Sequence, residues 1–364
     1  MPLHPDLLPT TPLSHDQAMR LAIAAAERVR GTTRPNPPVG CVILDARGIA
    51  VAAAGTDPVG GPHAEAQALA AAGERARGGT AVVTLEPCHH VGRTPPCTGA
   101  LVEAGIVEVV HGVADPNPVA AGGADWLVGR GVAVVGGVLA ADIADGVLRP
   151  WLHWQAHRRP HITLKTAGTV DGLAAATDGS SQWITGHLAR RRVHVDRSRR
   201  DAIIVGTGTV LADDPRLTAR SGDGALLPHQ PLRVVVGRKA VPADAAVRGG
   251  AGPADPDTPE LGGGFRHIQT RDMDRVVDVL ADLGLIDVLV EGGPRLAGAF
   301  LAAGLVDAIE SYVAPGLLGA GTAVVDTGSA TTVADIARFR TTGVENLGGD
   351  VLIRAVRGPV AGRG

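Results

Sequence analysis

The amino-acid sequence predicts an α/β protein with two domains. The chain has 364 residues, which exceeds what a single hydrophobic core usually holds. Short β-branched apolar runs alternate with segments of helical periodicity in both halves, and this alternation is typical of sheets layered with helices. The alternation stops at residues 149–160, where tryptophans and basic residues stand between prolines. We therefore expect one domain over residues 1–153 and a second over residues 154–364.

The composition argues against several functional classes. Aromatic residues are only 2% of the chain, and the formal net charge is −3. Extended nucleic-acid surfaces need clustered Lys and Arg with stacking rings, so we expect no nucleic-acid partner. No apolar run reaches the roughly 18–20 residues of a membrane span, and the N-terminus lacks the pattern of a secretory signal. The three cysteines cannot all be paired, which favours free thiols in a reducing cytoplasm.

The first half opens with a helix whose start is marked by Ser14 and Gln17, the pattern of a capping box. Apolar residues then recur at helical spacing until a glycine ends the helix. Strands and helices alternate beyond it. The expected strands are Val39–Leu44, Ile49–Ala54, Thr80–Leu85, Ile106–Val110 and Val132–Val135. One helix is expected to begin at His63, a second at Pro96, and a third to cover Leu139–Leu148.

A histidine, a carboxylate and two thiols follow one another at metal-binding spacing. His63-Ala-Glu65 precedes Cys88, just after a buried strand, and Cys97, at the start of a helix. One imidazole and two thiolates are zinc ligands, and three protein ligands leave the fourth position open to water, as in catalytic zinc sites. Zinc lowers the pKa of that water enough to supply hydroxide near neutral pH, and Glu65 is placed to move protons beside it. His-x-Glu with Pro-Cys and a later Cys is the signature of zinc nucleobase deaminases.

Other interpretations of these residues stay open. Taken alone, Cys88 and Cys97 could form a redox pair or lie in the core. Their separation is also wider than in the common Cys-x-x-Cys pattern, which weakens the metal interpretation. His89 or His90 could supply a fourth ligand and close the site, which would indicate a non-enzymatic protein stabilised by zinc. A deaminase of nucleic acids or free nucleosides with an accessory second domain is a further alternative, although the composition argues against nucleic acids.

The second half resumes the alternation after residues 149–160. This segment is either a connector between the domains or an ordinary helix and loop that packs. A strongly basic helix, His187–Arg200, follows it. The other expected elements are the strands His161–Ala167, Asp201–Val205, Leu232–Val236 and Asp287–Val290, and the helices Asp272–Leu283 and Arg295–Ala303.

Two features of this half could bind phosphate. Glu291-Gly-Gly-Pro294 lies between a strand and a helix, so its backbone N–H groups could bind phosphate oxygens, although a plain βα turn would have the same sequence. The arginines of the basic helix could bind phosphate bidentately or form a solvated face. Arg197 lies on the side that faces the following strand, which makes it a better ligand candidate than Arg191 or Arg192.

Four blocks of the first half carry a family resemblance: Pro35-Asn-Pro-Pro-Val-Gly-Cys-Val-Ile43, His63-Ala-Glu65, Thr84-Leu-Glu-Pro-Cys-His-His-Val-Gly-Arg-Thr-Pro-Pro-Cys97 and Asp115-Pro-Asn-Pro118. They resemble the bifunctional deaminase/reductases of riboflavin biosynthesis. The resemblance implies a cytidine-deaminase-like three-layer αβα domain that holds Zn²⁺ on His63, Cys88 and Cys97. The implied reaction is attack by zinc hydroxide on 2,5-diamino-6-ribosylamino-4(3H)-pyrimidinone 5′-phosphate at the carbon bearing the 2-amino group. Glu65 would be catalytic, shuttling protons and helping ammonia leave, and Asn36 would contact the substrate ring.

Four blocks of the second half are similar to the reductase half of the same family: Leu164-Lys-Thr-Ala-Gly-Thr-Val-Asp-Gly172, Ser181-Gln-Trp-Ile-Thr185, Gly208-Thr-Val-Leu-Ala-Asp-Asp-Pro-Arg-Leu-Thr218 and Val290-Glu-Gly-Gly-Pro294. They imply a dihydrofolate-reductase-like α/β domain that uses NADPH to reduce the ribosyl group of 5-amino-6-(5-phosphoribosylamino)uracil to ribityl, with hydride delivered to C1′. Lys165 and Glu291 would lie nearest the chemistry. The implied substrate contacts are Ser181, Arg197, Leu217, Arg220 and Glu291. The implied cofactor contacts are Ala167, Trp183, Thr209, Asp213, Gly293, Pro294, Arg295, Leu296, Ala297, Gly298 and Ala299.

The resemblance covers almost the whole chain, from about His15 to about Arg357. It implies a zinc-dependent pyrimidine deaminase over residues 1–153 and an NADPH-dependent reductase over residues 154–364. We accordingly expect a cytoplasmic enzyme with a small-molecule nucleotide substrate, no membrane partner and a homo-oligomeric assembly, either a dimer or a tetramer.

Overall fold

A computed structural model describes residues 7–89, 95–249, 263–328 and 330–358. The chain forms two compact units that divide after Arg158. The expected division after residue 153 falls inside a helix, Arg149–His157, so the first unit keeps that helix whole. Within the described residues, no helix is both long enough and apolar enough to cross a membrane.

The first unit is built on one five-stranded sheet. Its strands are β1 (Gly40–Leu44), β2 (Ala50–Gly55), β3 (Thr80–Leu85), β4 (Glu108–Val113) and β5 (Ala133–Gly136). Their order across the sheet is β2-β1-β3-β4-β5. β1 is antiparallel to β2 and β3, whereas β3, β4 and β5 are parallel. The carboxyl ends of β3 and β4 therefore lie at one edge, where functional side chains collect in open α/β sheets.

Helices cover this sheet: α1 (His15–Val29), α2 (Ala64–Ala72), α3 (Cys97–Glu103), α4 (Gly123–Val128), α5 (Ala140–Asp145) and α6 (Arg149–His157). The predicted capping box is present, since Ser14 Oγ accepts from the Gln17 N–H and Gln17 Oε1 accepts from the Ser14 N–H. The buried face of α1 consists of alanines and one methionine. A Cβ atom on Gly40 would lie 1.9 Å from the Ala22 carbonyl oxygen. Small residues on both elements thus let helix and strand pack closely in a core that has few aromatic rings.

The described residues of the second unit form ten strands. They are β6 (His161–Thr169), β7 (Leu173–Ala175), β8 (Ala202–Gly206), β9 (Leu232–Val236), β10 (Phe265–Ile268), β11 (Asp287–Val290), β12 (Ala308–Ala314), β13 (Thr322–Ala323), β14 (Phe339–Leu347) and β15 (Asp350–Arg357). Eight form one sheet in the order β10-β9-β8-β11-β6-β12-β15-β14, and β13 pairs with β7. The sheet is parallel from β10 to β12 and antiparallel at β15 and β14.

The helices of the second unit are α7 (His187–Arg197), α8 (Thr207–Asp213), α9 (Met273–Asp282) and α10 (Pro294–Ala302). The apolar face of α9 packs into the main core with Ile162, Ile204 and Phe300. The basic helix ends at Arg197, three residues earlier than expected. Arg200, beyond its end, is 3% exposed and pairs with Asp287 and Glu310 at 2.6 Å each. This arginine therefore belongs to a buried ion-pair network instead of a solvated face.

Candidate functional sites

Three side chains of the first unit form a potential metal site. The Nδ1 atom of His63 and the Sγ atoms of Cys88 and Cys97 all lie within 4.8 Å of one another. His63 precedes the first turn of α2, Cys88 follows β3, and Cys97 is the first residue of α3. The carboxyl end of β3 and the N-termini of α2 and α3 therefore bring together ligands that are up to 34 positions apart in the chain.

The donor atoms of this cluster fit zinc. His63 Nδ1 is 3.6 Å from Cys88 Sγ and 3.3 Å from Cys97 Sγ. Two ligands at ordinary Zn–S and Zn–N distances on a tetrahedron lie about 3.6 Å apart. The hydrogen bond from Cys97 and the neighbouring His63 lower the pKa of the Cys88 thiol. The same hydrogen bond, together with burial, raises the pKa of Cys97. The lowered pKa of Cys88 favours the thiolate form, which is the form that binds zinc.

Glu65 stands two residues after His63 in the chain. It lies in the first turn of α2 and is 4% exposed. Burial, followed by the charge of Cys88, raises the pKa of its carboxyl group to about 7. A carboxyl group with a pKa near neutrality can both accept and release a proton, which is the requirement for a general acid–base.

A fourth protein ligand is not found among the described residues near the cluster. His89 turns away from it: its Nδ1 lies 3.0 Å from Thr98 Oγ1, and its ring lies 4.7 Å from that of Trp126. His90, the other candidate for a closed site, lies outside the described residues. The cluster of described ligands is therefore the three-ligand arrangement that leaves a position for water.

The cluster opens onto a cavity of about 220 Å³. Asn36, predicted to contact the substrate, lines this cavity, and the Thr33 hydroxyl group fixes its backbone by donating to the Asn36 carbonyl oxygen at 3.0 Å. Sequence reasoning assigned no role to several other lining residues. They include Thr56, Glu86, Asn117, Trp151 and Gln155.

The position of α6 explains why two of these residues were missed. Trp151 and Gln155 belong to the segment that could have been a connector, and the structure folds it as a helix of the first unit. Trp151 is 5% exposed. Only the motif Asp115-Pro-Asn-Pro118 signalled the loop that carries Asn117. No local pattern signals a helix that reaches the cavity from a distant part of the chain.

The second unit brings together three of its predicted site residues. Glu291, at the end of β11, accepts two hydrogen bonds of 2.8 Å from Nε and Nη2 of Arg197. Lys165 Nζ lies 4.0 Å from Glu291 Oε2. Although burial alone would raise the pKa of Glu291, the charges of Arg197 and Lys165 lower it to about 2. Burial lowers the pKa of Lys165. The group is thus a buried carboxylate held between two cations.

An aromatic ring lies beneath this group. Lys165 Nζ is 5.6 Å from the centroid of the Tyr312 ring, on the adjacent strand β12. Tyr312 is 1% exposed, and its hydroxyl group donates to Asp196 Oδ2 at 2.7 Å. Asp196 Oδ1 in turn accepts from Arg192 Nε at 3.0 Å. The residues under Lys165 are therefore fixed by hydrogen bonds, a feature that the sequence did not indicate.

The βα turn predicted to bind phosphate joins β11 to α10. Gly293 is the N-cap of α10, and its N–H donates to Thr209 Oγ1 at 3.3 Å. Gly293 and Thr209, both predicted to bind the cofactor, are therefore in direct contact. Ala297 and Gly298 face inward: Ala297 is 1% exposed, and a Cβ atom on Gly298 would lie 1.7 Å from the Asp326 carbonyl oxygen. Of the other residues predicted in α10, Leu296 and Ala299 are partly buried against the main core, whereas Arg295 is exposed.

The remaining predicted residues are dispersed. Trp183 is 70% exposed, and the Arg190 guanidinium group lies 4.4 Å from its ring centroid. Leu217 is buried with a φ of 54°. Arg220 is held by Thr218 Oγ1 at 3.0 Å and by the Gly224 carbonyl oxygen at 2.8 Å. Ser181 and Asp213 are exposed, and Ala167 lies on β6 against Tyr312. Their contacts with substrate or cofactor stay predictions.

Two family models match the chain, one in each unit. Residues 13–113 match the cytidine and deoxycytidylate deaminase zinc-binding region. Residues 160–353 match the RibD C-terminal domain. The first match contains His63, Glu65, Cys88 and Cys97, and the second contains Lys165, Arg197 and Glu291. The matches are therefore consistent with a zinc-binding deaminase region followed by a reductase region.

Relatives and solved structures span nearly the whole chain. It is 49% identical to the riboflavin biosynthesis protein RibD of Mycobacterium tuberculosis over 343 residues, which covers 94% of this chain and 97% of that protein. The structure of a diaminohydroxyphosphoribosylaminopyrimidine deaminase/5-amino-6-(5-phosphoribosylamino)uracil reductase from Thermotoga maritima is 32% identical to this chain, with a TM-score of 0.82. The match covers 94% of this chain and 99% of that one. RibD of Acinetobacter baumannii is 35% identical with a TM-score of 0.79 and covers 95% and 99%.

Proposed function

The chain belongs to the RibD family of bifunctional deaminase/reductases of riboflavin biosynthesis, and we propose which two reactions it catalyses and with which residues. The first is hydrolytic deamination of 2,5-diamino-6-ribosylamino-4(3H)-pyrimidinone 5′-phosphate. The second is reduction of the resulting 5-amino-6-(5-phosphoribosylamino)uracil by NADPH, which converts the ribosyl group to ribityl. The proposal rests on two groups of side chains, one in each unit: a His–Cys–Cys cluster beside a cavity, and a buried Lys–Glu–Arg group.

In the first site, His63, Cys88 and Cys97 hold zinc, and bound zinc supplies hydroxide from water near neutral pH. Glu65 accepts a proton from the attacking water through its carboxylate. It then returns a proton to the amino nitrogen that leaves the ring as ammonia. Its buried position and raised pKa support both transfers. Asn36, on the wall of the cavity, holds the pyrimidine ring.

In the second site, the protein positions the ring-opened ribosyl group against NADPH, which supplies the hydride that C1′ receives. Lys165 holds at Nζ the proton that the reduced group takes up. Burial lowers its pKa, which favours release of that proton. Glu291 keeps Lys165 and Arg197 in place through its ion pairs. The turn before α10, where the Thr209 hydroxyl group meets Gly293, binds phosphate oxygens of the cofactor.

The remaining parts of the proposal concern the setting of the enzyme. Free thiols in the zinc cluster suit a reducing cytoplasm. The partner is a small-molecule nucleotide, and the assembly is a homo-oligomer.

The experiment is to supply the diaminopyrimidine nucleotide to the full-length protein with and without NADPH. We expect ammonia release without NADPH, and NADPH oxidation only after deamination. Glu65→Gln should reduce ammonia release by about a hundredfold or more, the usual contribution of a general acid–base, while zinc content and reduction of the supplied uracil intermediate stay unchanged. The proposal is wrong if NADPH is oxidised before ammonia appears, or if Glu65→Gln deaminates at the wild-type rate.

A further inference from the structure

The loop between β4 and α4 forms one wall of the deaminase cavity. It runs over residues 114–122 without helix or strand. Asp115, Asn117 and Ala120 of this loop line the cavity. Part of its shape comes from the loop itself, because Asp115 Oδ1 accepts from the Asn117 N–H at 2.8 Å and Asn117 Oδ1 accepts from the Val119 N–H at 3.2 Å. These short-range bonds set local turns but do not attach the loop to the metal cluster.

Glu86 makes that attachment. Its carboxylate is 8% exposed and accepts a hydrogen bond from the Asp115 N–H at 3.1 Å through Oε2. Its other oxygen, Oε1, accepts from the Ala124 N–H at 3.0 Å. The two donors stand at opposite ends of the loop, one near its start and one in the first turn of α4. A single side chain therefore holds both ends.

Backbone contacts extend the same connection. The Glu86 N–H donates to the Val113 carbonyl oxygen at 2.8 Å, and the His89 N–H donates to the Ala120 carbonyl oxygen at 3.3 Å. A Cβ atom on Gly123 would lie 1.9 Å from the Pro87 carbonyl oxygen. The loop thus rests on the turn that contains Glu86, Pro87 and the metal ligand Cys88.

We propose that Glu86 is a positioning residue for deamination, which fixes the loop carrying Asp115 and Asn117 so that these side chains meet the bound pyrimidine nucleotide. The inference rests on the proposed function, because it assigns Glu86 to the same cavity. Glu86 acts through the loop, and both of its carboxylate oxygens are used by backbone amides. A change at Glu86 should therefore weaken substrate binding more than it slows the chemical step.

The first test is Glu86→Gln in the full-length protein. Glutamine has one acceptor oxygen and an NH₂ group that only donates. It can therefore accept from the backbone N–H at one end of the loop, but at the other end two donors would face each other without a hydrogen bond. We expect KM for the diaminopyrimidine nucleotide to rise about tenfold, the effect of roughly one lost buried hydrogen bond, with zinc content unchanged and a smaller change in kcat. Glu103→Gln, which removes an exposed carboxylate at the end of α3, is the matched control and should leave both constants unchanged.

The second test asks whether Glu86 acts through the loop. If it does, adding Glu86→Gln to Asn117→Ala should raise KM little further, because the loop residue it positions is already gone. Multiplicative effects of the two substitutions would overturn the inference, as would an unchanged KM or a loss of zinc in Glu86→Gln. Absence of ammonia release by the wild-type protein would instead overturn the proposed function, and the inference with it.

Discussion

The two candidate sites differ in how the charges of their buried side chains are balanced. In the first unit, His63, Cys88 and Cys97 bring metal-ligating atoms together, and a bound metal would balance the charge of the thiolates. In the second unit, Lys165 and Arg197 flank Glu291, and the protein supplies charges of both signs. The first site should therefore depend on an added ion, and the second on its own ion pairs. Selective perturbation of each site tests this difference.

The largest expected effect is the loss of deamination when the metal site is broken. Cys97→Ser removes one of three ligands, and without bound zinc no hydroxide is available near neutral pH. Ammonia release should fall below detection, as should zinc content measured by elemental analysis. Reduction of supplied 5-amino-6-(5-phosphoribosylamino)uracil by NADPH should continue at the wild-type rate.

Cys41 provides the control for this substitution. It is a buried cysteine on β1 and is not part of the cluster. Cys41→Ala should retain one zinc-binding site per chain. A Cys97→Ser protein that keeps both zinc and ammonia release would show that the three-ligand assignment is wrong.

The next largest effect should come from removing the central carboxylate of the second site. Glu291→Gln leaves Arg197 and Lys165 buried without a compensating charge, and breaking such a pair typically costs about 3–5 kcal/mol. In calorimetry of the full-length protein, NADPH should raise the midpoint of one unfolding transition, and this transition belongs to the unit that binds the cofactor. Glu291→Gln should lower the midpoint of the same transition. Glu345→Gln is the matched control, since that carboxylate is 38% exposed and pairs with Arg192 and Arg354. Its substitution should cost less than about 1 kcal/mol.

The pH dependence of this difference has a defined sign. The pKa of Glu291 is lowered to about 2 from an ordinary value of 4.5. A carboxylate whose pKa is depressed by folding stabilises the protein above its unfolded pKa, and this contribution is lost as the pH falls through the folded pKa. The stability gap between wild type and Glu291→Gln should therefore be constant near neutral pH and shrink below about pH 4.5. A gap that widens in acid would contradict the ion-pair assignment.

The sequence predicted the metal site better than its surroundings. His63, Cys88 and Cys97 belong to one signature and stand next to a predicted strand or helix start, and the structure brings their ligand atoms within 4.8 Å of one another. The cavity wall was different. Trp151 and Gln155 come from α6, and their place in the wall depends on how that helix packs, which no short-range pattern encodes. Glu86 was also missed, because its partners are backbone amides that carry no side-chain signal.

The second site shows the same limit at longer range. Arg197 was predicted as a ligand candidate from its position on a basic helix, and the structure shows where its hydrogen bonds go. Nε and Nη2 bind Glu291, which is 94 positions away, and Nη1 binds the Thr218 carbonyl oxygen. Helical spacing indicates which face an arginine occupies, but it does not indicate which distant carboxylate that face meets. The family resemblance supplied Lys165 and Glu291, and the fold brings Lys165 Nζ to 4.0 Å from Glu291 Oε2.

The smallest expected effect is at Tyr312, which supports the second site without carrying charge. Tyr312→Phe keeps the ring beneath Lys165 and removes the hydrogen bond to Asp196. Because Asp196 retains its bond to Arg192, the cost should be about 1 kcal/mol, that of one ordinary hydrogen bond. Reductase kcat should change less than threefold or so. Tyr312→Leu, which also removes the ring, should lower both stability and kcat further, because the ammonium group then loses its aromatic neighbour. Equal effects of the two substitutions would mean that the hydroxyl group, and not the ring, supports Lys165.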